Sequence, residues 1–264
     1  MRIRKPTTLH QTPSLSRRLG TKQHWDEVYS SELANFADIG DEGEVWFGED
    51  SVEKMVDWAL ENVPTDPAPY ILEVGAGNGN LLFALCDAGY APHKICGVDY
   101  SADAINLAQA IAKARAVQPS AEDAGDDEEE AGGGPGGADK ITFATCDFLQ
   151  DEVARLSGMG AESDSDVAVW DFVLDKGTFD AIALAEKDEA GKAPADGYPA
   201  RIGRVVKPGG YFLITSCNFT EAELKGKFAN GETGLEYHSR IAWPTFSFGG
   251  HSGNVYSSVA FRKP

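Results

Sequence analysis

Positive charge is scarce in this chain: 23 Lys and Arg stand against 42 Asp and Glu over 264 residues, a formal charge of −19. That average field repels a phosphate backbone and sets nucleic acid aside as a partner. A basic protein would instead be steered toward it. Cysteine is also sparse. Cys86, Cys96, Cys146 and Cys217 include no C-x-x-C pair and lie in apolar stretches. They read as reduced core residues of a cytoplasmic protein rather than as a disulfide framework. No histidine has H-E-x-x-H spacing, so no built-in metal site is expected. Apolar runs long enough to span a bilayer are missing, as is an apolar segment near the start, so no membrane role is expected. Acids are missing too before Asp26, whereas Arg2, Arg4, Lys5, Arg17, Arg18 and Lys22 are all basic. An organelle presequence has that composition. The plainer expectation is a disordered basic arm over residues 1–20.

What is present is globular. Hydrophobic residues make up 42% of the chain and charged residues 25%, and a domain of this size needs no staple to fold. Thr21 caps an expected helix to about Leu33, with Trp25, Val28 and Tyr29 on one face. A loop over 38–51 carries Trp46 and Phe47; Asp50 or Ser51 then caps a helix that closes before Pro64. From Tyr70 onward, short apolar strands alternate with helices. Y-I-L-E-V (70–74), K-I-C-G-V (94–98), K-I-T-F-A-T (140–145), V-W-D-F-V-L (169–174) and Y-F-L-I-T-S-C (211–217) are the strands, with a final alternating one at 254–262. A helix with Ile202, Val205 and Val206 stops at K-P-G-G (207–210), and another covers 219–228. Such alternation predicts an α/β fold with a parallel sheet covered on both faces.

Two polar segments interrupt the pattern. Residues 118–138 hold seven acids, no base, six glycines and two prolines. That composition cannot bury enough apolar surface to offset its ordering entropy, so a disordered acidic insertion is expected. A second spacer runs from about 157 to 168. The remainder, 21–264, reads as one domain.

The chemistry concentrates at strand ends. Glu73, Gly75, Gly77, Asn78 and Gly79 form E-V-G-A-G-N-G between the first strand and its helix. Glycines there let the backbone approach a ligand, although many such turns hold glycines for packing alone. A dinucleotide fingerprint asks for G-x-G-x-x-G. Here the spacing is E-x-G-x-G-x-G, and a carboxylate ahead of the glycines disfavours phosphate and suits a cationic ligand such as S-adenosylmethionine. Asp99, followed by Tyr100, closes the second strand and can accept from both hydroxyls of a ribose. Asp147, followed by Phe148, can accept from an adenine amino group or equally cap a helix over 148–155. Three acids at the carboxyl ends of successive strands occupy the place where open α/β sheets bind ligands.

E-V-G-A-G-N-G, G-V-D-Y-S, C-D-F and D-K-G-T-F-D together resemble the class I, seven-β-strand S-adenosylmethionine-dependent methyltransferases. More narrowly, G-T-K-Q-H-W-D-E-V-Y, G-D-E-G-E-V-W-F-G-E-D-S, L-D-K-G-T-F-D-A-I-A-L and R-V-V-K-P-G-G-Y-F-L-I-T-S-C-N-F-T resemble the yeast and animal protein-lysine methyltransferases that modify translation elongation factor 1-alpha. The resemblance runs from about Thr21 to the C-terminus outside the two polar insertions. It implies a Rossmann-like, doubly wound sheet of order 3-2-1-4-5-7-6 with strand 7 antiparallel. It also implies that Gly75, Gly77 and Gly79 line the cofactor, that Asp99 holds the ribose, and that Asp147 with Phe148 holds the adenine. Asp175, Lys176 and Gly177 would stand at the methyl-transfer mouth. The acidic insertion and the spacer depart from the compact family pattern beside the adenine contact.

For catalysis, Trp46 and Phe47 are the candidate aromatic walls that desolvate the lysine, and Asp175 the candidate holder of its ammonium. Lys176 is expected to face solvent or a cap, and Trp25 to pack over the cofactor cleft. Alternatives are a small-molecule methyltransferase, a catalytically dead adapter docking through its acidic insertion, and an NAD-dependent oxidoreductase, which the glycine spacing and Glu73 disfavour. A monomer acting on elongation factor 1-alpha is the expected arrangement.

Overall fold

The computed structural model describes residues 18–117, 137–159, 169–248 and 251–264. Residues 1–17 of the basic arm and 118–136 of the acidic insertion lie outside the described residues, as do 160–168 of the spacer. Seven strands form one sheet: β1 (Ile71–Val74), β2 (Ile95–Asp99), β3 (Thr142–Thr145), β4 (Trp170–Lys176), β5 (Val206–Ser216), β6 (Glu236–Ile241) and β7 (Ser257–Arg262). Their order is 3-2-1-4-5-7-6, the expected one. β1 to β5 pair in parallel, and β7 runs antiparallel to both β5 and β6. A separate two-strand ribbon, Thr245–Phe248 with His251–Asn254, precedes β7.

Both faces of the sheet are buried, which is why its central strands read as apolar runs rather than clean alternations. Side chains still alternate. Ile71, Phe172, Leu174 and Leu213 face one core with α1 (Lys22–Ile39), α2 (Glu49–Asn62), α3 (Asn80–Asp87) and α4 (Ala102–Val117). Leu72, Val74, Val173, Phe212 and Ile214 face the other, against α5 (Thr178–Ala183), α6 (Tyr198–Val205) and α7 (Glu221–Phe228). Phe228 is central to this second core, its ring within 6.3 Å of those of Phe179, Tyr198, Phe212 and Phe261.

Several boundaries differ from expectation, each for a local reason. Thr21 does cap α1, accepting from the His24 amide, but the helix continues to Ile39 and ends at Gly40 in the left-handed region. Neither Asp50 nor Ser51 caps α2. Gly48 does, and Glu49 and Asp50 occupy the first turn, where acids favour the helix dipole. Val206 opens β5 rather than closing α6, and K-P-G-G lies within the strand as an irregularity of its pairing with β4. No helix follows Asp147; residues 148–150 form a turn. Ala138, Leu156 and Met159 are buried, so the edges of both polar segments belong to the core. Cys217 is exposed, Cys86 half-buried, and only Cys96 and Cys146 are buried.

β6 has no counterpart in the sequence reading. E-Y-H-S-R-I is an exposed edge strand rich in polar and charged residues, the usual defence of a sheet edge and the reason no apolar signal marks it. It is anchored by Trp58, whose Nε1 donates to Ser239 Oγ at 2.9 Å and whose ring meets that of His238. No helix of the described residues is long and apolar enough to cross a membrane. Phe228→Ala should leave a cavity that four rings cannot close, lowering stability by about 3–5 kcal/mol, measured as the shift in urea unfolding.

Candidate active site

A cavity of about 360 Å³ opens at the carboxyl ends of the parallel strands, where a doubly wound sheet leaves room between diverging loops. One end is built from Val98 and Asp99 at the end of β2, Tyr100 after it, and Cys146 to Leu149 after β3. The other is built from Trp46 and Phe47, Lys176 to Thr178 after β4, Asp180 on α5, and Cys217 and Asn218 after β5. Leu19, Gly20, Trp25 and Tyr29 cover it from the N-terminal side. Leu19 and Gly20, expected in the disordered arm, are thus part of the wall. The Leu19 carbonyl accepts from Trp25 Nε1 at 2.8 Å, and Gly20 fits against the Leu184 backbone with no space for a side chain.

Asp99 is positioned by two amides. Gly77 N–H donates to Oδ2 at 3.1 Å and Ser101 N–H to Oδ1 at 2.9 Å. Burial raises its pKa to about 6 against the pull of those two donors. Each oxygen has one described donor, which leaves lone pairs for a ligand's hydroxyls. Asp147 stands half-buried on the wall, its Oδ1 accepting from Leu149 N–H at 3.0 Å. Phe148 beside it is buried against Tyr198.

Of the glycine loop, Gly75 lines the cavity. Gly77 holds φ +55° directly beneath the Tyr29 hydroxyl, where a Cβ would sit 2.4 Å from oxygen. Its service is to bring its amide to Asp99. Asn78 points outward: its Nδ2 donates to the Glu42 and Glu44 carbonyls at 2.9 and 3.3 Å, tying the loop before Trp46 to the sheet. Glu42 is in turn bound by Arg115 of α4 at 2.5 Å. Glu73 is off the wall. It is buried at the end of β1, one oxygen without a partner, and burial raises its pKa while the nearby Lys176 opposes that.

Two expectations for β4 are corrected. Asp175 does not reach the cavity. It is 0% exposed and accepts from the Tyr198 hydroxyl at 2.5 Å and from the Thr178 and Phe179 amides at 2.8 and 3.0 Å. Desolvation still lifts its pKa to about 7. Its carboxylate is committed to starting α5, because β4 ends pointing into the core rather than at the mouth. Lys176, expected outside, is buried and lines the cavity, its Nζ donating to the Trp46 carbonyl at 3.1 Å. Trp46 and Phe47 do stand at the mouth. Trp46 is 37% exposed with its ring 5.3 Å from that of Trp25. Phe47 holds φ +65°, the left-handed value costly for a large side chain, and packs on Gly177 and the Tyr256 ring. Trp25 packs over the cleft as expected.

Residues 66–132 match a methyltransferase domain model. Over 256 residues the chain is 37% identical to protein-lysine N-methyltransferase efm4 of Schizosaccharomyces pombe, covering 93% of this chain and 94% of that one. It is 37% identical over 246 residues to human EEF1A lysine methyltransferase 2, covering 93% and 86%. The chain belongs to this family of protein-lysine methyltransferases. Among solved structures, magnesium protoporphyrin IX methyltransferase of Synechocystis, with bound S-adenosylhomocysteine, superposes with a TM-score of 0.51 at 16% identity, covering 90% of this chain and 97% of that one. That likeness bears on the fold alone.

S-adenosylmethionine is the cofactor of such a methyltransferase, and the residues present fit it. Three acids (Asp99, Asp147 and Asp180) line the cavity against one cation, Lys176, whose charge is directed at a carbonyl. That balance suits a phosphate-free cation and would repel a pyrophosphate. No motif singles out Tyr29 and Asp180 as wall residues, whereas Lys176 and Gly177, placed at the mouth by the resemblance, do line the cavity. The nearest signal is D-K-G-T-F-D itself, whose second acid, not its first, reaches the cavity. At Gly177 both φ +88° and the Phe47 ring 3.0 Å from an added Cβ disfavour any side chain. Gly177→Ala should therefore displace Phe47 and cut methyl transfer at least tenfold, with cofactor affinity changed less than threefold, by kinetics and calorimetry.

Proposed function

We propose that this chain transfers methyl groups from S-adenosylmethionine to the side-chain nitrogen of a lysine in translation elongation factor 1-alpha. The reading is carried by one combination: a nucleoside-sized acidic cleft that opens under two aromatic rings, in a chain similar along nearly its whole length to enzymes named for that substrate. When bound, the cofactor supplies a methyl group already activated by its sulfonium, so the new N–C bond forms as the C–S electron pair stays with sulfur.

The protein's part is to hold and to align. Asp99 accepts from the ribose hydroxyls, Tyr100 and Phe148 flank the base, and Asp147 accepts from its amino group. Tyr29 and Trp25 close the cleft from above and exclude water. Alignment of this kind lowers a barrier by up to about 7–11 kcal/mol. A lysine Nζ must also lose a proton before attack, since its ordinary pKa is about 10.4. Trp46 and Phe47, held by the Lys176 contact to the Trp46 carbonyl and by Gly177, strip water from the side chain and lower that value. An acidic enzyme also attracts a basic protein partner. The chain is expected to act as a monomer.

A small-molecule substrate is the competing reading, since the cofactor half of the site does not by itself select the methyl acceptor. Intact mass spectrometry separates the two. Elongation factor 1-alpha incubated with the protein and cofactor should gain mass in units of one methyl, mapping to lysine; an unchanged mass with methylation of small amines alone would overturn the proposal. The cofactor half has its own signature. Because burial raises Asp99 to about 6 and ribose hydroxyls donate to its anion, acid weakens binding. S-adenosylhomocysteine affinity should fall about tenfold from about pH 7 to about pH 5. In Asp99→Asn it should be weaker and nearly flat with pH, by calorimetry.

A further inference from the structure

We propose that Asp180 is the carboxylate that receives the substrate's lysine ammonium, an assignment resting on the lysine-methyltransferase reading above. The cavity's three acidic wall residues divide by place. Asp99 and Asp147 stand after β2 and β3 at the nucleoside end, and Asp180 alone stands at the end bounded by Phe47, Gly177 and Asn218. It is 5% exposed, yet it reaches the cavity. Asp175 and Glu73, the buried acids at this end of the sheet, are excluded by their partners and position. Asp175 spends both oxygens on Tyr198 and the start of α5, and Glu73 lies off the wall.

Asp180 is held from one side. Its Oδ1 accepts from Ser216 Oγ at 2.5 Å and its Oδ2 from the Cys217 amide at 2.7 Å, both at the end of β5. The Ser216 hydroxyl and the Cys217 amide fix the plane of the carboxylate, with the Cys217 thiol and the Asn218 amide also turned toward it. The carboxylate is thus preorganised, so accepting a cation costs little rearrangement. Burial raises its pKa against the pull of Ser216, Cys217 and Asn218, so an arriving cation meets a desolvated carboxylate. Lys176 does not supply that cation: its Nζ donates to the Trp46 carbonyl, and the acids whose charge it feels are Glu73, Glu49 and Asp175. Phe47, seated on Gly177 three residues before Asp180, walls the approach for the lysine methylenes.

The charge bookkeeping favours this position in the transition state. One proton leaves the substrate Nζ for water at the mouth before attack. The positive charge that starts on sulfur then ends on the methylated nitrogen, beside Asp180. Counted from the neutral amine, the anion is more strongly engaged as positive charge grows on nitrogen; beside the ammonium it binds and orients the substrate, and the aromatic walls oppose its hold on the proton.

The test uses the full chain loaded with S-adenosylhomocysteine and n-butylammonium as a probe of the lysine side chain, followed by NMR titration. Asp180→Asn should weaken n-butylammonium binding about tenfold, lower kcat on elongation factor 1-alpha, and leave the thermal midpoint and S-adenosylhomocysteine affinity near wild type. Asp180→Glu, which keeps the charge, should recover part of both losses. If Asp180→Asn misfolds, Asp180→Ser, still able to accept from the Cys217 amide, serves the same comparison. Wild-type n-butylammonium affinity in the variants overturns the assignment. So does a loss that tracks thermal midpoint and cofactor affinity together, which would make Asp180 only an anchor for the 216–218 turn. Failure of the function reading looks different: wild-type protein that binds n-butylammonium through Asp180 but leaves elongation factor 1-alpha unmethylated.

Discussion

Carboxylates at the ends of buried strands are the constraint on which the rest of this structure turns. Parallel strands deliver Glu73, Asp99 and Asp175 to one edge of the sheet, each almost fully desolvated. A buried carboxylate is costly unless donors meet it; backbone amides meet Asp99 and Asp175, whereas one Glu73 oxygen has no partner among the described residues. Gly77 and Ser101 turn toward Asp99, while Thr178 and Phe179 turn toward Asp175. The loops around the cavity are therefore shaped by the need to satisfy these acids.

The same logic organises the cover. The segment around Trp46 is attached through Asn78 to the Glu42 and Glu44 carbonyls, Glu32 to the Glu44 amide, Arg115 to the Glu42 carboxylate, and Lys176 to the Trp46 carbonyl. Two of these attachments begin on residues of the cofactor loop or of β4, so the aromatic mouth and the nucleoside cleft share supports. The left-handed Phe47 and the side-chain-free Gly177 are the complementary halves of that join.

Division of labour among similar residues follows from where each strand stops. β2 ends with Asp99 facing the cavity, whereas β4 carries Asp175 into the core and leaves the wall to Lys176 and, a helical turn later, Asp180. D-K-G-T-F-D contains two acids and one cation within six residues. Which of them meets a ligand depends on the direction of the strand's last residues and on the Tyr198 hydroxyl from α6, more than twenty positions away.

The chain's apolar runs, its glycine spacing and its strand-end acids determined the fold class and the end of the sheet that carries the site, while the sheet order was implied by the resemblance. Those features are local: they depend on side-chain period, on turns that need glycine and on strands buried on both faces. Tertiary structure alone decided that Asn78 braces the cover, that Leu19 and Gly20 belong to the wall, that β6 joins the sheet without an apolar pattern, and that Asp180 rather than Asp175 faces the cavity. Each of those outcomes is set by a partner distant in sequence, such as Glu42, Leu184, Trp58 or Tyr198, and burial of a polar group is a property of its neighbours in space, which no single stretch of chain contains.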